Sequence, residues 1–199
     1  MVESASAEQL RPRPASEAEQ DASRRAQCET FEPRTIELDG ERFLLRAIRP
    51  DDAAAYSTFI ARIDEADLRL RFARPLNGWS ERSIARYTNL DFDRDVAFVA
   101  VRLSEPGRGE IVGEVRTFRY PDAATAEFAI IVRSDMKRRG LGRSLMEHVI
   151  RYATVNGLEL IGQIATHNVA MIRLAERSGM EVEREAGSDF AVAHLPRNR

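Results

Sequence analysis

Apolar positions along this chain recur with two periods, and the periods divide it into strands and helices. From Thr35 to Leu38 and from Arg42 to Ile48 the pattern suits strands, and the intervening Asp39 and Gly40 form the two-residue signal of a type I′ hairpin. Pro50 ends the second strand. Asp51 is placed to cap a helix running to about Ile63, with Ala55, Phe59 and Ile63 on one face, and a second short helix covers Glu65 to Phe72. The loop RPLNGW, Arg74 to Trp79, leads to a third helix capped by Ser80, with Ile84 and Tyr87 on one side.

From Val96 the pattern changes. The run VAFVAV at 96–101 is apolar on both faces, as in a central strand, and turns at Pro106–Gly109 and Tyr120–Asp122 join it to strands over Ile111–Phe118 and Phe128–Val132. Three strands joined by short turns predict an antiparallel meander. A helix over Gly140–Asn156, stopped by Gly157, and a strand over Glu159–Ala165 come next, an order that favours parallel pairing. Asn168 opens a further helix with Met171, Leu174 and Ala175 inward, Gly179 ends it, and strands over Glu181–Glu185 and Phe190–Leu195 complete the set.

Residues 1–33 carry much Ala, Ser, Glu, Arg and Gln and few large apolar side chains, so they read as a disordered or loosely attached tail with a helical tendency at Ser16–Gln27. Residues 34–199 read as one domain. Composition changes this picture little: 43% hydrophobic and 31% charged residues are ordinary for a globular protein, and a net charge of -2 offers no overall attraction to nucleic acid or an anionic membrane. The lone Cys28 excludes an internal disulfide and fits a reducing cytoplasm, and His148, His167 and His194 lack metal-ligand spacing, so no metal is expected. No apolar run approaches the roughly 18 residues of a membrane span, and no apolar leader block is visible.

The chemistry concentrates where the strand ending at Val132 runs into the helix starting near Gly140. A helix start presents unpaired N–H groups and the positive end of the helix dipole, glycines at 140 and 142 flank Leu141 without adding bulk, and Lys137, Arg138, Arg139 and Arg143 add positive charge. A pyrophosphate suits such a turn. Neither the P-loop pattern nor the dinucleotide fingerprint is present.

The segment KRRGLG, Lys137 to Gly142, resembles the Gln/Arg-x-x-Gly-x-Gly/Ala signature with which GNAT N-acetyltransferases hold the coenzyme A pyrophosphate. The order of elements over Phe43–Leu195 fits that family too. The stretches Leu44–Phe72, Leu90–Val101 and Ala126–Ala153 further resemble the catalytic domain of bacterial GNAT protein lysine acetyltransferases. The resemblance implies an α/β GNAT fold with a mixed, mostly antiparallel twisted sheet flanked by helices. It also implies acetyl-CoA as co-substrate and a protein lysine as acceptor, acyl-CoA synthetases being common acceptors in that family. The helices over 51–88 then become candidate acceptor walls, with plain packing on the sheet as the other reading.

A lysine ε-amine with a pKa of about 10.4 must lose a proton before it can attack a thioester. Glu127, on the strand leading to the turn, is the first candidate base, because partial burial would raise its basicity; Glu114 on the preceding strand is the second. The resemblance adds backbone pairing of the pantetheine arm at Ile131 and Val132, with the Val132 N–H as oxyanion donor, a strand 159–165 that splays away, and Asn168 near the cofactor. Three positions depart from the family pattern: Lys137 for Gln or Arg, Met180 for an aromatic, and Ala175 for the tyrosine that protonates the leaving thiolate. A small-molecule amine acetyltransferase and a non-catalytic acyl-CoA-binding module are the alternatives, and the oligomeric state is left open.

Overall fold

The first hairpin forms one margin of the sheet. In a computed structural model, which describes residues 31, 33–72, 79–92, 94–105, 108–120 and 124–197, β1 (Arg34–Leu38) pairs with β2 (Glu41–Ala47) around Asp39 and Gly40. Both turn residues have positive φ, 52° and 75°, as a type I′ turn requires. Antiparallel pairing continues through β3 (Asp95–Glu105), β4 (Arg108–Arg119) and β5 (Thr125–Val132). β6 (Glu159–Ala165) joins β5 in parallel, and β8 (Phe190–Leu195) lies antiparallel between β6 and β7 (Glu181–Arg184). The outcome is one mixed, mostly antiparallel sheet of eight strands in the order β1-β2-β3-β4-β5-β6-β8-β7.

Five α-helices among the described residues flank it: α1 (Ala53–Ala61), α2 (Glu65–Phe72), α3 (Glu81–Thr88), α4 (Leu141–Val155) and α5 (Val169–Arg177). Tyr56 of α1 meets Glu114, whereas a Cβ on the neighbouring Gly113 would meet Leu145 of α4. Successive strand residues face opposite ways, so α1 and α4 cover opposite faces of β4. α4 is also the crossover that allows β5 and β6 to run parallel. Val96 to Val101 are buried along their whole length, as a strand apolar on both faces should be.

Two details differ from the sequence reading. Asp51 is exposed and does not cap α1; Pro50–Asp52 form a 3₁₀ turn, and the helix starts at Ala53. The carboxylate that organises this turn is that of Asp52, which accepts two 2.7 Å bonds from the Arg46 guanidinium and one of 2.8 Å from the Arg49 amide. A neighbour with a better-placed guanidinium decides which aspartate is used. Phe31, inside the segment read as a tail, stacks its ring edge-on with those of His148 and Tyr152 and lies 5.7 Å from that of Phe98. The helix read at Ser16–Gln27 and most of the loop at Arg74–Trp79 lie outside the described residues, as do Pro106, Gly107 and the turn residues 121–123.

Candidate active site

β5 and β6 pair at only three positions, Thr125↔Glu159, Ala126↔Leu160 and Glu127↔Ile161, and then separate. Beyond Glu127 a cavity of about 350 Å³ opens between Phe128–Val132 on one side and Gly162–Ala165 on the other. The wedge is visible. A Cβ on Gly162 would lie 2.5 Å from Cε1 of Phe128, so the buried Phe128 ring fills the space beside β6 that a side chain at 162 would take.

The gap leaves backbone donors free. In an antiparallel pair alternate residues direct N–H and C=O to one neighbour. Tyr120 N–H bonds Thr125 O and Arg133 N–H bonds Val112 O, so the odd-numbered residues of β5 face β4, while Glu159 N–H bonds Ala124 O, so the even-numbered residues face β6. The amides of Ile130 and Val132, beyond the last paired position, therefore point toward the cavity. Ile131, expected to offer its backbone there, instead lends only its side chain to the lining, because its amide is turned to β4.

At the cavity's far end the chain turns into α4. Gly140 is the residue before the helix and has φ 92°, a conformation that side-chain-bearing residues rarely adopt. Its glycine serves the turn itself. Gly142 lines the cavity, whereas Leu141 is buried in the core beneath it.

Of the basic residues expected around this turn, only Lys137 and Arg138 line the cavity. Arg139 turns back to the first hairpin, where Asp39 accepts from it at 3.0 Å and Glu41 binds it as well, and these carboxylates raise its pKa. Arg143 is exposed and pairs with Glu147 one helical turn on, at 2.8 Å. Lys137 is paired with Asp67 of α2. Arg138, with φ 61°, has no ion pair among the described residues.

The two candidate carboxylates occupy different environments. Glu127 is half-buried on the cavity lining, and its Oε2 accepts a 2.8 Å bond from the Tyr120 hydroxyl, raising the phenol's pKa. Glu114 is 1% exposed and does not line the cavity. Its carboxylate accepts from the Tyr56 hydroxyl at 2.7 Å and from Arg116 Nε at 3.0 Å. Arg116 in turn reaches Asp95 at 2.9 Å and the Tyr87 carbonyl at 2.7 Å, with its guanidinium 4.6 Å from the Tyr87 ring centroid. Burial, reinforced by the Glu114 charge, pushes the Tyr56 phenol well above its ordinary pKa, so it stays a donor. Glu114 belongs to a closed ion-pair network under α1 and not to the mouth of the cavity.

Asn168 does both things expected of it, capping α5 through a 3.2 Å bond from the Met171 amide and lining the cavity. Ala175 is fully buried and Met180 nearly so. The sequence reading took the helices over 51–88 as candidate walls without singling out residues; in α2, Asp67, Leu70 and Arg71 share one helix face, at i, i+3 and i+4, and line the cavity. The available signal was composition: four of its eight residues, Glu65, Asp67, Arg69 and Arg71, are charged, more than a helix packed wholly into the core would carry. Gln163, Met171, Leu174 and Tyr120 were missed as well.

A sheet split beside a central strand, with backbone donors on one wall and a glycine-bearing helix start at its end, defines a coenzyme-dependent acyltransferase of α/β class. The family model of the GNAT acetyltransferase domain matches residues 42–181, and the chain belongs to the GNAT acetyltransferase family. Members of that family use acetyl-CoA. Among solved structures, the GNAT domain of S. lividans PAT is similar at 25% identity and TM-score 0.72, over 82% of this chain and 96% of that one. A ribosomal L7/L12 α-N-protein acetyltransferase in complex with coenzyme A shares the fold at 12% identity and TM-score 0.66, over 82% and 98% of the two chains. Spermidine N-acetyltransferase from Vibrio cholerae, in complex with CoA and spermine, does so at 19% and 0.59, over 76% and 92%.

Proposed function

We infer that this acetyltransferase moves the acetyl group of acetyl-CoA directly to the ε-amine of a protein lysine, with Glu127 as general base. One observation carries the reading: Glu127 stands at the last paired position of β5 and β6, where its carboxylate meets a cavity lined by free strand amides. The protein acceptor is supported by the similarity to the domain of S. lividans PAT, a protein acetyltransferase.

The residues suggest a sequence of events. The Ile130 amide and the Val132 carbonyl would hold the pantetheine arm, and Arg138, Gly142 and the amides starting α4 would hold the pyrophosphate. Glu127 Oε1, free of the Tyr120 bond, takes a proton from the lysine ammonium, and the amine lone pair then forms the new C–N bond at the thioester carbonyl. The Val132 N–H would donate to the carbonyl oxygen as charge develops there. As the C–S bond breaks, the electron pair leaves on sulfur. With Ala175 buried and without a hydroxyl, the thiolate takes its proton from water, which a thiol pKa of about 8.5 permits. Among the described residues the cavity lining has no cysteine or serine that could carry the acetyl group between the two substrates.

The test is transfer of labelled acetyl from acetyl-CoA in a desalted lysate supplemented with small amines, using wild type and Glu127→Gln. Base-stable label on lysines of a few proteins, lost in the variant while coenzyme affinity persists, is the expected result. Label on small amines alone makes the protein a metabolite acetyltransferase. Coenzyme binding without any transfer makes it a binding module.

A further inference from the structure

Lys137, the first residue of the expected pyrophosphate turn, already holds an anion. Its ammonium pairs with Oδ1 of Asp67, while Oδ2 of the same carboxylate accepts a 2.6 Å bond from the Ser134 hydroxyl. Ser134 Oγ in turn accepts from the Asp64 amide at 2.9 Å. Asp67 and Lys137 line the same cavity as Arg138, Gly142 and Val132, so this carboxylate lies on the wall that the coenzyme would share.

We propose that Asp67 is an anionic placeholder for the coenzyme pyrophosphate: it neutralises Lys137 in the free protein and gives it up when the coenzyme enters, and the exchange loosens α2. The inference rests on the reading of the turn as a coenzyme A site. Its physical basis is competition. One ammonium cannot satisfy a carboxylate and a pyrophosphate at close range without setting the two anions against each other, and the pyrophosphate has the greater charge and the help of Arg138 and the helix start. The other basic residues of the turn are not on this wall: Arg139, held by Asp39 and Glu41 of the first hairpin, and Arg143, beside Glu147 on the exposed side of α4, do not line the cavity.

The consequence reaches α2 because Asp67 ties down its first turn, whereas the rest of the helix is held by Leu68 against the core and by the Phe72 ring against those of Trp79 and Tyr87. No residue of this helix is fully buried, and its internal ion pair, Arg69 with Glu65, is exposed. The Asp67 contacts to Ser134 and Lys137 join α2 to the segment that follows β5. Leu70 and Arg71 ride on the same helix and line the cavity, so a change at Asp67 alters the wall past which an acceptor must come.

Calorimetry with coenzyme A on the full chain tests this, with wild type, Asp67→Asn, Lys137→Ala and the double variant. Asp67→Asn should tighten binding about 5-fold, Lys137→Ala should weaken it, and Asp67→Asn should change nothing once Lys137 is gone. Hydrogen exchange of the α2 amides should speed up when wild type is saturated with coenzyme A, and should already be fast in free Asp67→Asn. Unchanged or weaker binding by Asp67→Asn overturns the proposal, as does equal tightening in the Lys137→Ala background or α2 exchange indifferent to coenzyme. Wild type that binds no coenzyme A refutes both this inference and the functional reading; normal binding without lysine transfer refutes only the latter.

Discussion

The Tyr120 hydroxyl donates a 2.8 Å hydrogen bond to Oε2 of Glu127 and leaves Oε1 as the carboxylate's other acceptor. Tyr120 can do this because its own amide closes the β4–β5 hairpin on the Thr125 carbonyl, at 3.1 Å, and the Phe118 ring packs edge-on against its ring. Tyr120 is thus a positioning residue for Glu127. Tyr120→Phe should lower kcat about 10-fold, the scale of one hydrogen bond to a charged group, with coenzyme affinity and unfolding midpoint unchanged. Steady-state kinetics beside calorimetry will read this split; a loss that appears only in coenzyme affinity contradicts it.

Glu127 and Glu114 should fail in different ways. Glu127→Gln should cost on the order of 100-fold in kcat without loss of stability, the usual scale for a general base. Glu114→Ala strands the buried Arg116 guanidinium and the Tyr56 hydroxyl, and should destabilise the fold by about 3–5 kcal/mol. Urea unfolding of both variants separates the two roles.

Gly162 makes room for the wedge. Gly162→Ala would bring its Cβ to 2.5 Å from the Phe128 ring, and should destabilise the protein by about 1–3 kcal/mol and raise KM for acetyl-CoA as the gap is deformed. Adding Phe128→Leu should recover part of both, which thermal unfolding and kinetics can measure.

His148 sets an acid limit. It is 1% exposed between the rings of Phe31 and Phe98, and burial, helped by the nearby Arg34 charge, lowers its pKa from 6.5 to about 4. The unfolded chain therefore takes up this proton at higher pH than the folded one. The contribution is complete above pH 6.5, declines as the pH falls, and reaches a loss of about 3 kcal/mol below pH 4. His148→Leu should remove that part of the acid dependence, and urea titrations between pH 4 and 7 will show whether it does.

Much of the architecture was legible because it follows from local rules. The hairpin at Asp39-Gly40, the Ser80 and Asn168 caps, the boundaries of α2, β6 and β8, and the helix start at Gly140 each depend on residues close in sequence, and each lies where the pattern put it or within a residue. The phosphate turn was readable for the same reason, since glycines and basic residues were consecutive.

The partners of those residues were decided by tertiary structure. Arg139 is drawn to Asp39 and Glu41, about a hundred positions earlier in the chain, and Lys137 to Asp67; no local pattern carries that information. Periodicity put Glu114 and Glu127 alike on strands, but only the packing of α1 buries one in an ion-pair network while the parting of β5 from β6 exposes the other. The sequence alone determined which segments become strand, turn and helix, because backbone preference and side-chain period act over a few residues. Which charges stay free to meet a substrate depended on contacts across the chain, because a charge's fate is set by whatever opposite charge the fold brings within reach.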